Sequence, residues 1–309
     1  METEQYDIVV EDLTKRFGSL EAVRGISFSV RRGEMFGILG PNGAGKTTTL
    51  ECIEGLLAPT SGRTTVLGMD SQRESQAVKE CIGVQLQASA YFDYLTLREI
   101  LDLFGRFYQR RIPPAELLSN IALDEKADTT VGKLSGGQKQ RFTIAATLVN
   151  DPRVIFLDEP TAGLDPQARR NLWELIQAIN QEGRTVVLTT HYMEEAQSLC
   201  DRVAIMDLGK IVALDTPAAL VRTLPAPYEL EFVVDGQADL AAVGSLEGVV
   251  DVSRTASGGC SLRSSDASRT LPALLQWAAS AGARLDQLEV KPATLEDVFL
   301  SLTGKTLPE

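Results

Sequence analysis

The segment Gly40-Pro41-Asn42-Gly43-Ala44-Gly45-Lys46-Thr47 constrains this chain more than any other feature. It follows a short apolar run, Met35-Phe36-Gly37-Ile38-Leu39, and precedes a helical pattern carried by Thr48, Thr49, Leu50, Ile53, Leu56 and Leu57. The spacing G-x-x-x-x-G-K-[ST] between a strand and a helix marks a phosphate-binding loop. Its glycines let backbone N–H groups curl around phosphate oxygens, and the helix N-terminus adds positive potential. Lys46 then reaches the β- and γ-phosphates, and the Thr47 hydroxyl is placed to ligate Mg²⁺.

A loop of this kind sits on an α/β core. Val154–Leu157 and Val186–Leu188 are short apolar runs of the type found in buried parallel strands. Helical patterns separate them, with Leu172, Leu175, Ile176 and Ile179 on one face. Strands alternating with helices predict a parallel sheet. The residues before the loop read as strands; Ile26, Phe28 and Val30 alternate with Ser27 and Ser29. Beyond about residue 88 and up to 150 the pattern turns helical, with Leu97, Ile100, Leu101 and Phe104 on one face.

After Pro225-Ala226-Pro227 the texture changes. Tyr228, Leu230 and Phe232 alternate with glutamates, and further strands are expected at Val249–Val252, Cys260–Arg263 and Leu285–Val290. Leu271, Leu274, Leu275 and Ala278 make a helical stripe, and Thr294 with Asp297 forms a capping box for a last helix. Two domains are therefore expected: residues 1–225, and a small α+β domain over residues 226–309.

Composition narrows the function. The 309 residues carry 30 basic and 42 acidic side chains, a net charge of −12. Such a surface argues against nucleic acid as a partner bound through phosphate neutralisation. No window approaches the roughly 20 apolar residues that span a bilayer. The acidic start lacks a secretory pattern, so the chain is expected to stay in the cytosol. Cys52, Cys81, Cys200 and Cys260 form no C-x-x-C, and a single histidine, His191, excludes multi-histidine metal sites.

The strand Val154–Leu157 ends in Asp158-Glu159. An acid at the carboxyl end of a strand beside a phosphate loop can hold Mg²⁺, which fits Asp158. Glu159 lies where a general base polarises an attacking water. A further segment, Leu134-Ser135-Gly136-Gly137-Gln138, opens a helix and stands 20 residues before Asp158. The Ser135 hydroxyl and the Gly136 and Gly137 amides make a second anion site at a helix N-terminus.

With these three motifs, residues from about 5 to 222 resemble the nucleotide-binding subunit of an ABC transporter. The resemblance implies a P-loop NTPase core with N-terminal antiparallel strands and a helical subdomain. It implies ATP and Mg²⁺ as ligands, with ATP bound by Gly40–Thr48 and, across a head-to-tail dimer, by Ser135–Gln138 of a second subunit. It assigns Asp165, in the turn Ala162–Asp165, to that interface. It makes Gln87 the loop glutamine that senses Mg²⁺ and faces the membrane partner, with Gln85 a nearby competitor. His191 matches the switch histidine that contacts the γ-phosphate. Phe17 falls where the family stacks an aromatic ring, more often tyrosine, on adenine. The implied catalytic set is Glu159, His191 and Gln87, and the implied metal set is Thr47, Gln87 and Asp158.

Homodimers and heterodimers of ATPase subunits both fit the resemblance. An integral membrane permease is the other implied partner, which places the chain peripherally at the cytoplasmic face of the membrane. Tyr91, Phe92 and Tyr94 are expected to be exposed for docking that permease. The tail Pro292–Gly304 is similar to those of ATPase subunits of ABC-2-type exporters, which handle drugs, antibiotics, lipids and polysaccharides. The alternatives are a soluble ABC ATPase, for example in metal-cluster assembly, and a nucleotide-gated module without turnover.

Overall fold

The structure is a computed structural model that describes residues 5–85, 91–235, 240–255 and 259–304. The chain divides into two compact units, residues 1–216 and 217–309.

The first unit opens with β1 (Tyr6–Phe17) and β2 (Leu20–Arg31), which pair antiparallel. Ile8, Val10 and Leu13 from one, and Val23, Ile26, Phe28 and Val30 from the other, are buried. β3 (Met35–Leu39) is buried along its whole length and leads through the phosphate loop into α1 (Lys46–Ile53). β4 (Ser61–Val66) and β5 (Met69–Asp70) complete an antiparallel sheet of order β2-β1-β4-β5. The chain continues through α2 (Ser75–Cys81) and β6 (Ile82–Gln85).

The helical segment follows: α3 (Leu97–Gly105), α4 (Pro114–Asn120) and α5 (Gly136–Thr147). A capping box of Thr96 and Glu99 starts α3. Its Leu97, Ile100 and Leu101 are buried, as are Leu117 and Leu118 of α4 and Phe142, Ile144 and Ala145 of α5. Tyr91 departs from the sequence expectation. Its ring packs edge-on against Phe142 at 5.3 Å and near Phe104 at 6.3 Å, and its hydroxyl donates to Thr143 Oγ1 at 3.1 Å. A ring with a satisfied hydroxyl is more stable inside than in water, so Tyr91 belongs to this subdomain's packing. Phe92 and Tyr94 are exposed, by 51% and 85%.

The remaining elements are β7 (Val154–Asp158), α6 (Pro166–Gln181), β8 (Thr185–Thr190), α7 (Met193–Leu199), β9 (Arg202–Asp207) and β10 (Lys210–Asp215). They build a six-stranded sheet of order β10-β9-β3-β8-β7-β6. All its pairings are parallel except the edge pair β10–β9. β7 and β8 are fully buried, as expected for strands covered on both faces. The core lies between the two sheets and α1, where Phe28 stacks on Phe36 at 5.2 Å and Ile8, Ile38, Leu50 and Ile53 join them.

The second unit begins earlier than the change of texture after residue 225. Its first element, α8 (Pro217–Arg222), packs against its last, α10 (Leu295–Thr303). Between them lie β11 (Tyr228–Asp235), β12 (Val249–Arg254), β13 (Cys260–Ser264), α9 (Ala267–Ser280) and β14 (Arg284–Pro292). The antiparallel order β12-β13-β11-β14 is that of a split β-α-β, ferredoxin-like sandwich. A 3₁₀ turn at Leu240–Ser245 stands in place of the first helix. Leu230, Phe232, Leu262 and Leu274 form its core. The Thr294–Asp297 capping box is present at α10.

Gly83 lets the helical segment close on the sheet. A Cβ there would lie 2.1 Å from the Thr147 carbonyl oxygen at the end of α5. Gly83→Ala is therefore expected to destabilise the first unit by about 1–3 kcal/mol through overpacking. Thermal unfolding measures it, and an unchanged melting temperature contradicts the contact.

Candidate nucleotide-binding site

The sheet order places the site. β3 lies next to β8, and β8 next to β7, all parallel, with Leu39 opposite Thr190 and Asp158 opposite Thr189. The phosphate loop, the acidic pair and His191 therefore leave the sheet at one edge. Ligands of open α/β sheets bind at this carboxyl edge.

The loop is shaped by its backbone. Gly45 has φ +102°, and a Cβ there would lie 2.4 Å from the Ala22 carbonyl oxygen, so only glycine fits. Ala44 N–H donates to the Pro41 carbonyl at 3.1 Å, and Gly209 N–H to the Ala44 carbonyl at 3.0 Å. Lys46 is buried and folds back over the loop, donating to the carbonyls of Gly40 at 2.7 Å and Pro41 at 3.2 Å. Its Nζ also stands 3.2 Å from Glu159 Oε1. Burial pulls the lysine pKa below its ordinary value, and the Glu159 and Asp158 carboxylates oppose that shift.

The two acids have different partners. Thr47 Oγ1 donates to Asp158 at 3.0 Å from Oδ2 and 3.2 Å from Oδ1. Thr189 also donates to Asp158. Glu159 lies between two bases: Lys46 on Oε1, and His191, whose Nδ1 is 3.3 Å from Oε2. The histidine is in ion-pair range there but not aligned for a hydrogen bond. Glu159 has φ +48°, a left-handed conformation unusual for a residue with a Cβ. Its N–H is held by the carbonyl of Thr189 at 3.2 Å and that residue's hydroxyl at 3.0 Å. Strain of this sort persists where surrounding bonds over-determine it, and it concentrates at functional sites.

Lys46, Thr47 and Glu159 face a pocket of about 370 Å³ that Phe17, Leu20, Ala22, Asn42, Gly43, Gly45 and Thr48 also line. Phe17 is 47% exposed at its mouth, with Lys15 Nζ 5.1 Å from the ring centre. The volume suits a small organic ligand.

The comparisons with known proteins agree with this geometry. The sequence profile of the ABC transporter family matches residues 23–162. The linearmycin resistance ATP-binding protein of Bacillus subtilis is 37% identical over 305 residues, covering 96% of this chain and 98% of that protein. This chain is an ABC transporter ATP-binding subunit. The Nod factor export ATP-binding protein I of Ralstonia nicotianae is 39% identical over 307 residues, covering 96% and 94% of the two chains. A dimeric ATP-binding cassette solved in a post-hydrolysis state with ADP and Pi superposes with a TM-score of 0.61. It is 27% identical, covering 68% of this chain and 98% of that one. The subunit is therefore an ATPase of the nucleotide-binding cassette fold, a class that dimerises and works with membrane permeases. Among the described residues no helix is long and apolar enough to cross a membrane.

Other expected site residues lie outside this pocket. Ser135 caps α5: its hydroxyl accepts from Gln138 N–H at 3.3 Å, and the Gln138 side chain accepts from Ser135 N–H at 3.1 Å. Ser135 and Gly136 are exposed, and Gly137 and Gln138 half-buried. Asp165 is exposed and caps α6, accepting from Ala168 N–H at 2.9 Å. Gln87 lies outside the described residues. Sequence reasoning passed over Thr189, which holds both Asp158 and the Glu159 backbone. The paired threonines before His191 were the available signal. It also passed over Leu20 and Ala22, for which the sequence carries no signal.

Glu54, just past the end of α1, was missed too. It is 2% exposed, and burial pushes its carboxyl up to about 8, with Asp158 and Glu51 adding repulsion. The folded pKa is above the unfolded one. The folded protein therefore carries no penalty below about pH 4.5; the cost grows as pH rises from about 4.5 to about 8 and is constant above that. Glu54→Gln should raise the melting temperature at pH 8.5 more than at pH 5, by on the order of a few kcal/mol of stability. A pH-independent difference would contradict the buried acid.

Proposed function

We propose that this subunit binds and hydrolyses ATP to power export through a separate ABC-2-type permease, from the cytoplasmic face of the membrane. One observation carries the reading: the buried contact of Lys46 with Glu159, which in turn faces His191, beside the Thr47–Asp158 pair. The export direction rests on the likeness to relatives named for Nod factor export and linearmycin resistance. Those names do not favour a soluble ATPase in metal-cluster assembly.

Each residue has a physical part. The Phe17 ring offers a stacking face for adenine, and the loop amides of Gly43–Thr48 face the phosphates. Arriving phosphate oxygens compete with Glu159 for Lys46, and Glu159 is released to accept a proton from water. His191 orients that water and contacts the terminal phosphate. Thr47 and Asp158 are hard oxygen donors 3.0 Å apart, a set suited to Mg²⁺ held by few side chains plus phosphates. When bound, Mg²⁺ neutralises phosphate charge. Gln87 joins that set in this reading.

Two subunits pair head to tail, so that Ser135–Gln138 and Asp165 of one complete the pocket of the other. A twofold axis makes the two sites alike in a homodimer. ATP favours the closed dimer because it binds that state better than the open one. The charge cluster supports Glu159 as the base in this reading. Glu159→Gln should retain ATP, accumulate as an ATP-bound dimer and lose about 10²-fold or more of its hydrolysis rate. Size-exclusion chromatography and phosphate release read both, and hydrolysis at the parent rate removes Glu159 from the role. Phe17→Ala should weaken nucleotide binding by about tenfold, and Phe17→Tyr should not, if the ring face is what adenine meets. Titration with a fluorescent ATP analogue decides between these.

A further inference from the structure

A second buried acid lies behind the turn that carries Glu159, and the phosphate chemistry does not use it. Glu195, in the first turn of α7, is fully buried. Its Oε1 accepts from Trp173 Nε1 of α6 at 3.0 Å. The hydroxyls of Thr190 and Thr161 and the guanidinium of Arg169 stand beside the same carboxyl. Yet Glu195 Oε2, Thr161 Oγ1 and Arg169 Nε close no well-aligned hydrogen bond among the described residues. A native interior keeps few unpaired polar atoms, and one cluster holding three of them asks for a use.

Each neighbour belongs to a turn of the site. Thr190 precedes His191; its carbonyl accepts from Gly40 N–H at 3.3 Å and its hydroxyl from Tyr192 N–H at 2.9 Å. Thr161 begins the turn to Asp165, and its carbonyl accepts from Leu164 N–H at 3.2 Å. The Arg169 guanidinium lies 4.3 Å over the Tyr192 ring, which packs against His191 at 4.1 Å. Glu195 therefore reaches, from behind, the two places where Glu159 and His191 leave the sheet. Burial raises its carboxyl pKa against the opposing pull of these hydroxyls, the indole and Arg169. A protonated carboxyl donates as well as accepts.

We infer that Glu195 is a positioning residue for hydrolysis. It couples the turn at 161–165 to the His191 turn through the Thr161 and Thr190 hydroxyls beside its carboxyl. The inference rests on the roles proposed above for Glu159 and His191.

Thr161→Val separates this from a merely structural role, because valine keeps the shape and leaves no unpaired hydroxyl. The purified full chain, assayed with Mg-ATP, should keep its melting temperature and hold KM within about twofold while kcat falls about tenfold. Glu195→Gln keeps a donor and an acceptor and should stay within about threefold of the parent kcat, whereas Glu195→Ala should fall about tenfold or more. If Glu195→Ala does not fold, Thr161→Val decides. Parent-like kcat in Thr161→Val overturns the inference, as does a Glu195→Gln no better than a folded Glu195→Ala. Glu159→Gln, run alongside, keeps the two readings apart. Hydrolysis surviving in it sinks the role of Glu159, whereas its inactivity beside a fully active Thr161→Val sinks only the role of Glu195.

Discussion

Parallel pairing of β3 with β8, and of β8 with β7, is the constraint on which the rest of this subunit depends. Parallel strands must be buried on both faces, and their connections must cross over the sheet. Three segments far apart in the chain therefore end at one edge: the phosphate loop after Leu39, the acidic pair after Leu157, and His191 after Thr190. Nothing in the loop alone would create a catalytic site. The register supplies the acid for Thr47 and the carboxylate for Lys46.

That edge is also where the fold tolerates cost. Lys46 is buried, Glu159 sits in a left-handed backbone conformation, and Thr189 spends hydrogen bonds on both neighbouring acids. The lysine and the glutamate neutralise each other across 3.2 Å, so a buried charge is paired rather than isolated. In the proposed mechanism an anionic ligand competes for that lysine. A rigid sheet below and a strained turn above meet at one carboxylate.

Much of this was legible in the chain. The loop Gly40–Thr47, the acids Asp158-Glu159 and the cap at Ser135 are local patterns in which each residue's chemistry is set by near neighbours. The alternation in β2 and β11 and the capping box at α10 read correctly for the same reason. Tyr91 did not, because its burial depends on Phe104 and Phe142, which lie on separate helices. The start of the second unit was obscured because α8 resembles any short helix until α10, some eighty residues later, packs against it.

The sequence by itself determined the type of core, the phosphate loop, the acidic strand end and the family to which the subunit belongs, since all of these are written in contiguous residues and their spacing. Tertiary structure decided which strands became neighbours, that Thr189 would serve Asp158 and Glu159 together, and that Glu54 and Glu195 would be buried as acids. It also decided that the second unit would take a ferredoxin-like strand order. Burial and strand order depend on contacts between residues distant in the chain, and no local pattern encodes which of the possible contacts gives the lowest free energy.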